Sequence, residues 1–285
     1  LLISEQGGAR RQLERVGNLK DTGSKIQEIC PATGLAISND KVRYLMGTAL
    51  IVGAAAGIGA RCVQAFQARG DNIVLVDGSD DVVVPADVVH CTGQPSDPAL
   101  PSRAVAMAME RFGGLDSVVV TRSAMHALPL DQWTPELWDE SCAINLRLPF
   151  LCAQAAAPAL IRSNNPSLTF LSSTAARRGQ PHSHAYQATK AGLDGLVRSL
   201  TAELGPHGVR VNTVLAGWID TPFNNQYWQA QADPEAARAA FDRRIPLQRH
   251  GTADEVVKTI LFLASPDGAY ISGTSLVVDG GITAV

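Results

Sequence analysis

From Tyr44 onward the chain alternates between short, unbroken apolar runs and longer segments in which apolar residues recur at helical spacing. TALIVG (48–53), NIVLVD (72–77) and LDSVVV (115–120) are runs of the first kind, as are SLTFLSS (167–173), VRVNTVL (209–215) and SLVVDG (275–280). Apolar runs of this length without polar alternation fit strands buried on both faces, the habit of parallel sheets. VVVPADV (82–88) is read as a further strand, third in order, in spite of its proline. Helices are expected from Ile58 to about Arg69 and over 98–112, 135–162, 184–204 and about 252–264. Strand and helix alternate to the end of the chain with no internal repeat, which predicts an α/β protein built on one doubly wound parallel sheet. Only residues 78–86 separate Asp77 from Asp87, so the helix between the second and third strands is expected to be missing.

Residues 1–43 do not share this pattern. They are charged, carry a short amphipathic stretch around Arg10–Val16, and are broken by Cys30-Pro31 and Ser38-Asn39-Asp40. They are read as an N-terminal extension, packed on the main domain or a neighbouring subunit or partly disordered, ahead of that main domain over 44–285. Composition adds exclusions. Lys+Arg of 24 against Asp+Glu of 27 leaves a net charge of −3 and no basic patch of the nucleic-acid type. The five cysteines are odd in number and lack metal-site spacing, which argues for a reducing compartment and against zinc or a disulfide framework. With no apolar run of transmembrane length and no signal-peptide pattern, the default expectation is a cytoplasmic protein.

The first strand runs into Gly53-Ala54-Ala55-Ala56-Gly57-Ile58-Gly59 ahead of a helix. Glycines there allow a tight turn and bring backbone N–H groups to an anionic pyrophosphate at the helix N-terminus. The spacing is neither GxGxxG nor a Walker A loop. Asp77 ends the second strand, where a carboxylate accepts hydrogen bonds from ribose hydroxyls and repels a 2′-phosphate. A turn-forming role for Asp77, or a methyltransferase using a similar loop, remains open on these residues alone. In HAYQATKAGLDGL (184–196), Tyr186 and Lys190 stand four apart and share one helix face. By itself such a pair is most often a half-buried phenol beside a snorkelling lysine.

Taken together, GAAAGIG, Asn145, Ser173 and Tyr186-xxx-Lys190, in this order and spacing, resemble the classical short-chain dehydrogenase/reductase family from about Tyr44 to the C-terminus. GWIDTPF (217–223), RIPLQRHGTADEVVKTILFLAS (244–265) and ISGTSLVVDGG (271–281) resemble its C-terminal half. The resemblance implies a single-domain Rossmann-type fold and an oxidoreductase moving a hydride between NAD(H) and a secondary alcohol or ketone. Tyr186 would be the general acid/base. Lys190 would lower the phenol pKa and bind the nicotinamide ribose, Ser173 would hold the substrate oxygen, and Asn145 would anchor a relay water. Gly53, Gly57, Ile58, Gly59, Asp77, Asp87, Ile219 and Thr221 would join Tyr186 and Lys190 in holding the cofactor, with Asp87 on the adenine. Asp77, and Ala56 where NADP-using members often carry a base, favour NAD over NADP. The resemblance also implies a homodimer or homotetramer, paired through the helices holding Asn145 and Tyr186.

Three departures stand out. The family's Asn-Asn-Ala-Gly aligns with Val120-Thr121-Arg122-Ser123, placing a long cation and a hydroxyl beside the cofactor. The second is the missing helix already noted, and the third is Ala216 where a proline precedes Gly217. They leave open a noncatalytic binding or scaffold protein with weakened cofactor affinity. For the substrate, 224–244 is read as a lid. Trp218, Phe223, Tyr227 and Trp228 would form an aromatic wall, with His126 a further lining residue. Arg177, Arg178, His182 and His184 are read as solvated loop charge, or as partners for an acidic group.

Overall fold

The computed structural model describes residues 28–29, 36–37, 47–78, 84–85, 87–229 and 231–285. The chain divides into two units, Leu1–Met46 and Gly47–Val285. Of the first, the description covers an antiparallel pair, Glu28–Ile29 with Ala36–Ile37. The stretch around Arg10–Val16 and the rest of the N-terminal extension lie outside the described residues.

The second unit is built on seven parallel strands: β1 (Thr48–Val52), β2 (Asn72–Asp77), β3 (Val88–Thr92), β4 (Ser117–Val120), β5 (Ser167–Ser173), β6 (Arg210–Ala216) and β7 (Ser275–Val278). In space their order is β7-β6-β5-β4-β1-β2-β3. The helices are α1 (Gly57–Arg69), α2 (Leu100–Phe112), α3 (Pro135–Cys142), α4 (Leu148–Leu160), α5 (His184–Leu204), α6 (Asn225–Gln229), α7 (Pro234–Asp242) and α8 (Ala253–Leu263). Alternate residues of β1 feed opposite faces of the sheet. Leu50 and Val52 join a core with α2, α4 and α5, while Ala49 and Ile51 join one with α1 and α8. The expected doubly wound sheet is therefore what forms.

Two expectations differ in detail. The third strand is Val88–Thr92, not 82–88. Val82 and Val83 lie outside the described residues, and Pro85 has no N–H for a ladder. Its carbonyl instead accepts from the Val88 N–H at 3.0 Å, closing a turn just before Val88 pairs with Ile73. The long helix expected over 135–162 is interrupted by a π-turn, Ala143–Arg147. Pro149, four residues after Asn145, cannot donate to its carbonyl and would crowd it, so the helix widens there. The described residues between β2 and β3 contain no helix.

Arg210 shows how buried polarity is settled far from the cleft. It is 6% exposed, and no carboxylate pairs with it among the described residues. Its guanidinium donates to the carbonyls of Leu263, Ser265 and Gly268 and to Asn165 Oδ1, closing the C-terminal end of α8. Cations suit that end of a helix dipole, although burial pulls the Arg210 pKa below its ordinary value. Arg210→Met is expected to remove about 3 kcal/mol of stability by orphaning these carbonyls; a urea midpoint within error of the parent would contradict this.

Candidate active site

The sheet order reverses between β1 and β4, and a cleft opens at the carboxyl ends of the strands on either side of that point. Its floor is the turn between β1 and α1. Gly53 has φ +90° and Gly57 φ +57°, conformations in which a side chain is strained. A Cβ on Gly59 would lie 2.0 Å from the Gly53 carbonyl oxygen, so glycine is required there for close packing. Thr121 Oγ1 donates to the carbonyls of Val52 and Gly53 at 3.0 and 2.9 Å, fixing the turn from the β4 side. From the β2 side Asp77 fixes it, with Oδ2 accepting from Ala55 N–H at 2.9 Å and Oδ1 from Gly78 N–H at 2.8 Å. No side chain caps the N-terminus of α1 and its first turn holds no acid, so its N–H groups remain available to an anion.

Across the cleft, Ser173 ends β5 and α5 begins at His184. Ser173 Oγ accepts from Ala175 N–H at 3.1 Å, and the Tyr186 phenol faces the same cleft. Burial raises the phenol pKa above its ordinary value, and the Ser173 hydroxyl only partly opposes this. That reverses the sequence expectation of a phenol lowered by Lys190. Lys190 is 1% exposed and lies behind the cleft wall, its Nζ donating to Ser123 Oγ at 2.8 Å and to the Leu171 carbonyl at 2.7 Å. Its Nζ is 5.6 Å from the centre of the Tyr186 ring. With no carboxylate on it, burial pushes its pKa down to about 7.

Gly53, Gly57, Ile58, Gly59, Asp77, Ser173, Tyr186, Ile219 and Thr221 line this one cleft. Asn145 does not reach it. Fully buried in the π-turn, its amide spans Ala124, accepting from the N–H and donating to the carbonyl, each at 2.8 Å. Asp87 is also not brought to the cleft. It precedes β3, at the amino end of the sheet, where it is exposed and accepts from Gln67 Nε2 at 3.1 Å. Because the strand starts after Asp87, the residues at its carboxyl end are Cys91 and Thr92, and Thr92 is the one opposite Asp77.

The aromatic wall is half as expected. Trp218 and Phe223 face the cleft, and the Phe223 ring lies 6.4 Å from that of Tyr186. Tyr227 and Trp228 instead pack behind Trp218 at 5.0 and 5.2 Å, with Phe241 at 4.4 Å, and so fasten the 222–242 segment. His126 pairs with Glu140, His184 packs edge-on against Trp133, and Arg178 donates to the Ile282 carbonyl. None of these, nor Arg177 or His182, lines the cleft. Met125, Gln180 and Asn224 do, and no pattern in the sequence singles them out. Gln180 has its backbone pinned by Gln187, and Asn224 Nδ2 donates to the Ile219 carbonyl at 2.7 Å. Asp77 and Arg122 are the charged residues among those lining the cleft. Arg122 Nε is buried there without a partner among the described residues, a condition that costs about 1–3 kcal/mol.

These features match what a dinucleotide needs: N–H groups and a Cβ-free turn for a pyrophosphate, and a carboxylate with unused lone pairs for ribose hydroxyls. A family model described as enoyl-(acyl carrier protein) reductase matches residues 53–283. The probable galactose dehydrogenase of Rhizobium meliloti (strain 1021) is 32% identical over 243 residues, covering 82% of this chain and 93% of that protein. A 3-oxoacyl-(acyl-carrier-protein) reductase of Thermotoga maritima is 32% identical over 246 residues, covering 82% and 96%. In structure, ligand-free aldohexose dehydrogenase of Thermoplasma acidophilum aligns with a TM-score of 0.80 at 24% identity, over 86% of this chain and 96% of that one, a likeness of fold. The matched span carries every residue of the cleft just described, and the chain belongs to the classical short-chain dehydrogenase/reductase family, whose members are oxidoreductases using NAD(P)(H).

Proposed function

We propose that the protein interconverts a secondary alcohol and a ketone on a small uncharged substrate, with NAD(H) as its cofactor. The observation that carries this is that Ser173 and Tyr186 face the same cleft as the Gly53–Gly59 turn and Asp77. Gly53, Gly57, Ile58, Gly59 and Asp77 would hold the adenosine and pyrophosphate, and Ile219 and Thr221 the nicotinamide end. When bound, the dinucleotide supplies or accepts the hydride. Ser173 Oγ orients the substrate oxygen toward the Tyr186 hydroxyl. As negative charge grows on that oxygen, Tyr186 donates its proton, or takes one in the oxidative direction. A buried phenol with a raised pKa is protonated at neutral pH, which suits proton donation. Lys190, in its charged form, stabilises the phenolate left behind and so acts through Tyr186.

Substrate neutrality follows from the lining. Met125, Gln180, Trp218, Phe223 and Asn224 give the cleft apolar surface and neutral amides, with Phe223 beside Tyr186. Two relatives carry names for work on sugar hydroxyl and oxoacyl groups, and both chemistries meet at a CH–OH carbon. The preference for NAD rests on Asp77, whose fixed carboxylate would face a 2′-phosphate. A homodimer or homotetramer is proposed from exposed Trp138 and Phe150 on α3 and α4. Residues 1–43 would form an extension ahead of this catalytic domain. The second reading, a noncatalytic binding protein, is favoured by one observation: Lys190 is engaged by Ser123 and lies behind the wall.

Tyr186→Phe is expected to lower kcat about 10²–10⁴-fold with little change in dinucleotide Kd; a loss under tenfold would refute the acid/base role. Asp77→Asn keeps an acceptor for the Ala55 N–H but removes the charge. The Kd ratio of NADPH to NADH, measured by calorimetry, should fall about tenfold or more; an unchanged ratio would count against NAD selection by Asp77. Lys190 generates a pH prediction. Its amine titrates at about 7 folded against 10.5 ordinarily, so between those values the unfolded chain holds the extra proton. The penalty is full below the folded pKa and fades as pH rises. Ligand-free protein should therefore gain about 2 kcal/mol over Lys190→Met from pH 7 to pH 9 in urea unfolding, and equal slopes would contradict the shift.

A further inference from the structure

The chain emerging from β4 carries Thr121, Arg122 and Ser123 in succession, and two of the three have clear work. The Thr121 hydroxyl fastens the Gly53 turn and Ser123 accepts from Lys190. Among the described residues Arg122 has no such task. It is half-buried, lines the cleft, and forms no ion pair among the described residues. Its Nε–H is buried without an acceptor. Its backbone is pressed against the glycine turn, since a Cβ on Gly53 would fall 2.5 Å from the Arg122 nitrogen. A buried donor left unanswered among the described residues, in the wall of a ligand cleft, points to an acceptor brought by the ligand.

The position decides which part of the ligand. Arg122 adjoins the Gly53 turn, which Asp77 braces through the Ala55 N–H. Ser173 and Tyr186 stand on the β5 side, Ile219 after β6. The adenosine end of a dinucleotide is thus the nearer. A cation serving a 2′-phosphate would have to share the ribose position with Asp77, within ion-pair reach of it, and Arg122 makes no such pair. What remains on the adenosine is a flat π face and neutral acceptors. A guanidinium is planar, weakly hydrated and suited to stacking on such a face.

We propose that Arg122 is a binding residue for the adenosine half of the dinucleotide, its guanidinium covering the adenine and its Nε–H donating to an adenosine acceptor. The proposal rests on the dinucleotide reading above and assigns one of its contacts to a residue particular to this chain. Calorimetric titration of the full chain with ADP-ribose, nicotinamide mononucleotide, NADH and NADPH tests it, for the parent, Arg122→Ala and Arg122→Lys. In Arg122→Ala the Kd for ADP-ribose and NADH should rise together by about 5- to 30-fold, while that for nicotinamide mononucleotide stays unchanged. Arg122→Lys keeps the charge without the plane, should recover less than half of the loss, and stands in if the alanine variant does not fold. Unchanged or tighter ADP-ribose binding in Arg122→Ala would overturn the proposal, as would a loss confined to NADPH, full rescue by lysine, or an equal loss for nicotinamide mononucleotide. Failure of the parent to bind NADH and ADP-ribose would remove the dinucleotide reading itself and the proposal with it. A parent that binds and an Arg122 variant that binds equally well removes only the proposal.

Discussion

Right-handed crossovers force the chain to put its helices on opposite faces when it changes direction across a parallel sheet. From β1 the path moves outward to β2 with α1 on one face, then returns through α2 on the other face to lay β4 on the far side of β1. The loops leaving β1 and β4 consequently diverge, and the gap between them is the cleft. Most of the cleft hangs from strand ends around that gap: the glycine turn after β1, Asp77 on β2, Arg122 and Ser123 after β4, and Ser173 on β5, with Tyr186 facing it from α5. Parallel strands aim all these ends in one direction, so residues far apart in sequence share one small volume.

Inside that volume, loss of water governs which groups carry charge. It acts in opposite senses on the two members of the α5 pair, raising the Tyr186 phenol and lowering the Lys190 amine, because in each case burial disfavours the charged form. The same rule governs Cys62 and Cys152, pushed up to about 12 in the core, where it keeps thiols inert. At the cleft and just behind its wall it instead favours the neutral form of both groups, each with a neighbour able to stabilise charge when one appears. Ser173 does this for Tyr186, and Ser123 with the Leu171 carbonyl for Lys190.

The elements legible in the sequence were those set by local pattern. Apolar runs such as TALIVG and SLTFLSS had no other place than a sheet buried on both faces, and Tyr186 with Lys190 shared a face because helical geometry allows nothing else. The third strand was misread because Val82, Val83 and Val84 make a stronger apolar signal than VVHCT, while Pro85 decides where pairing can begin. Asp87 went with that strand, five positions from where the carboxyl end lies. The π-turn left a trace only in Pro149, and a proline in the first turn of a helix is ordinary enough to pass unnoticed. Met125 and Gln180 come from loops and Asn224 from the short helical turn Pro222–Asn224, where side-chain directions depend on tertiary contacts. The charges at 177–184 sit close to Ser173 and Tyr186 in sequence yet turn away in space.

Asn145 gives the site an unexpected kind of unity. Its amide grips both sides of the Ala124 residue, one bond to the N–H and one to the carbonyl, and Ala124 directly follows Arg122-Ser123. The widened helical turn and the loop that carries the cation and the lysine's acceptor are thus riveted into one rigid piece. A substitution at Asn145 would slacken that piece as a whole, disturbing nucleotide contact and the setting of Lys190 together. Lost turnover in such a variant is a mechanical symptom, and by itself it says nothing about how protons leave the site.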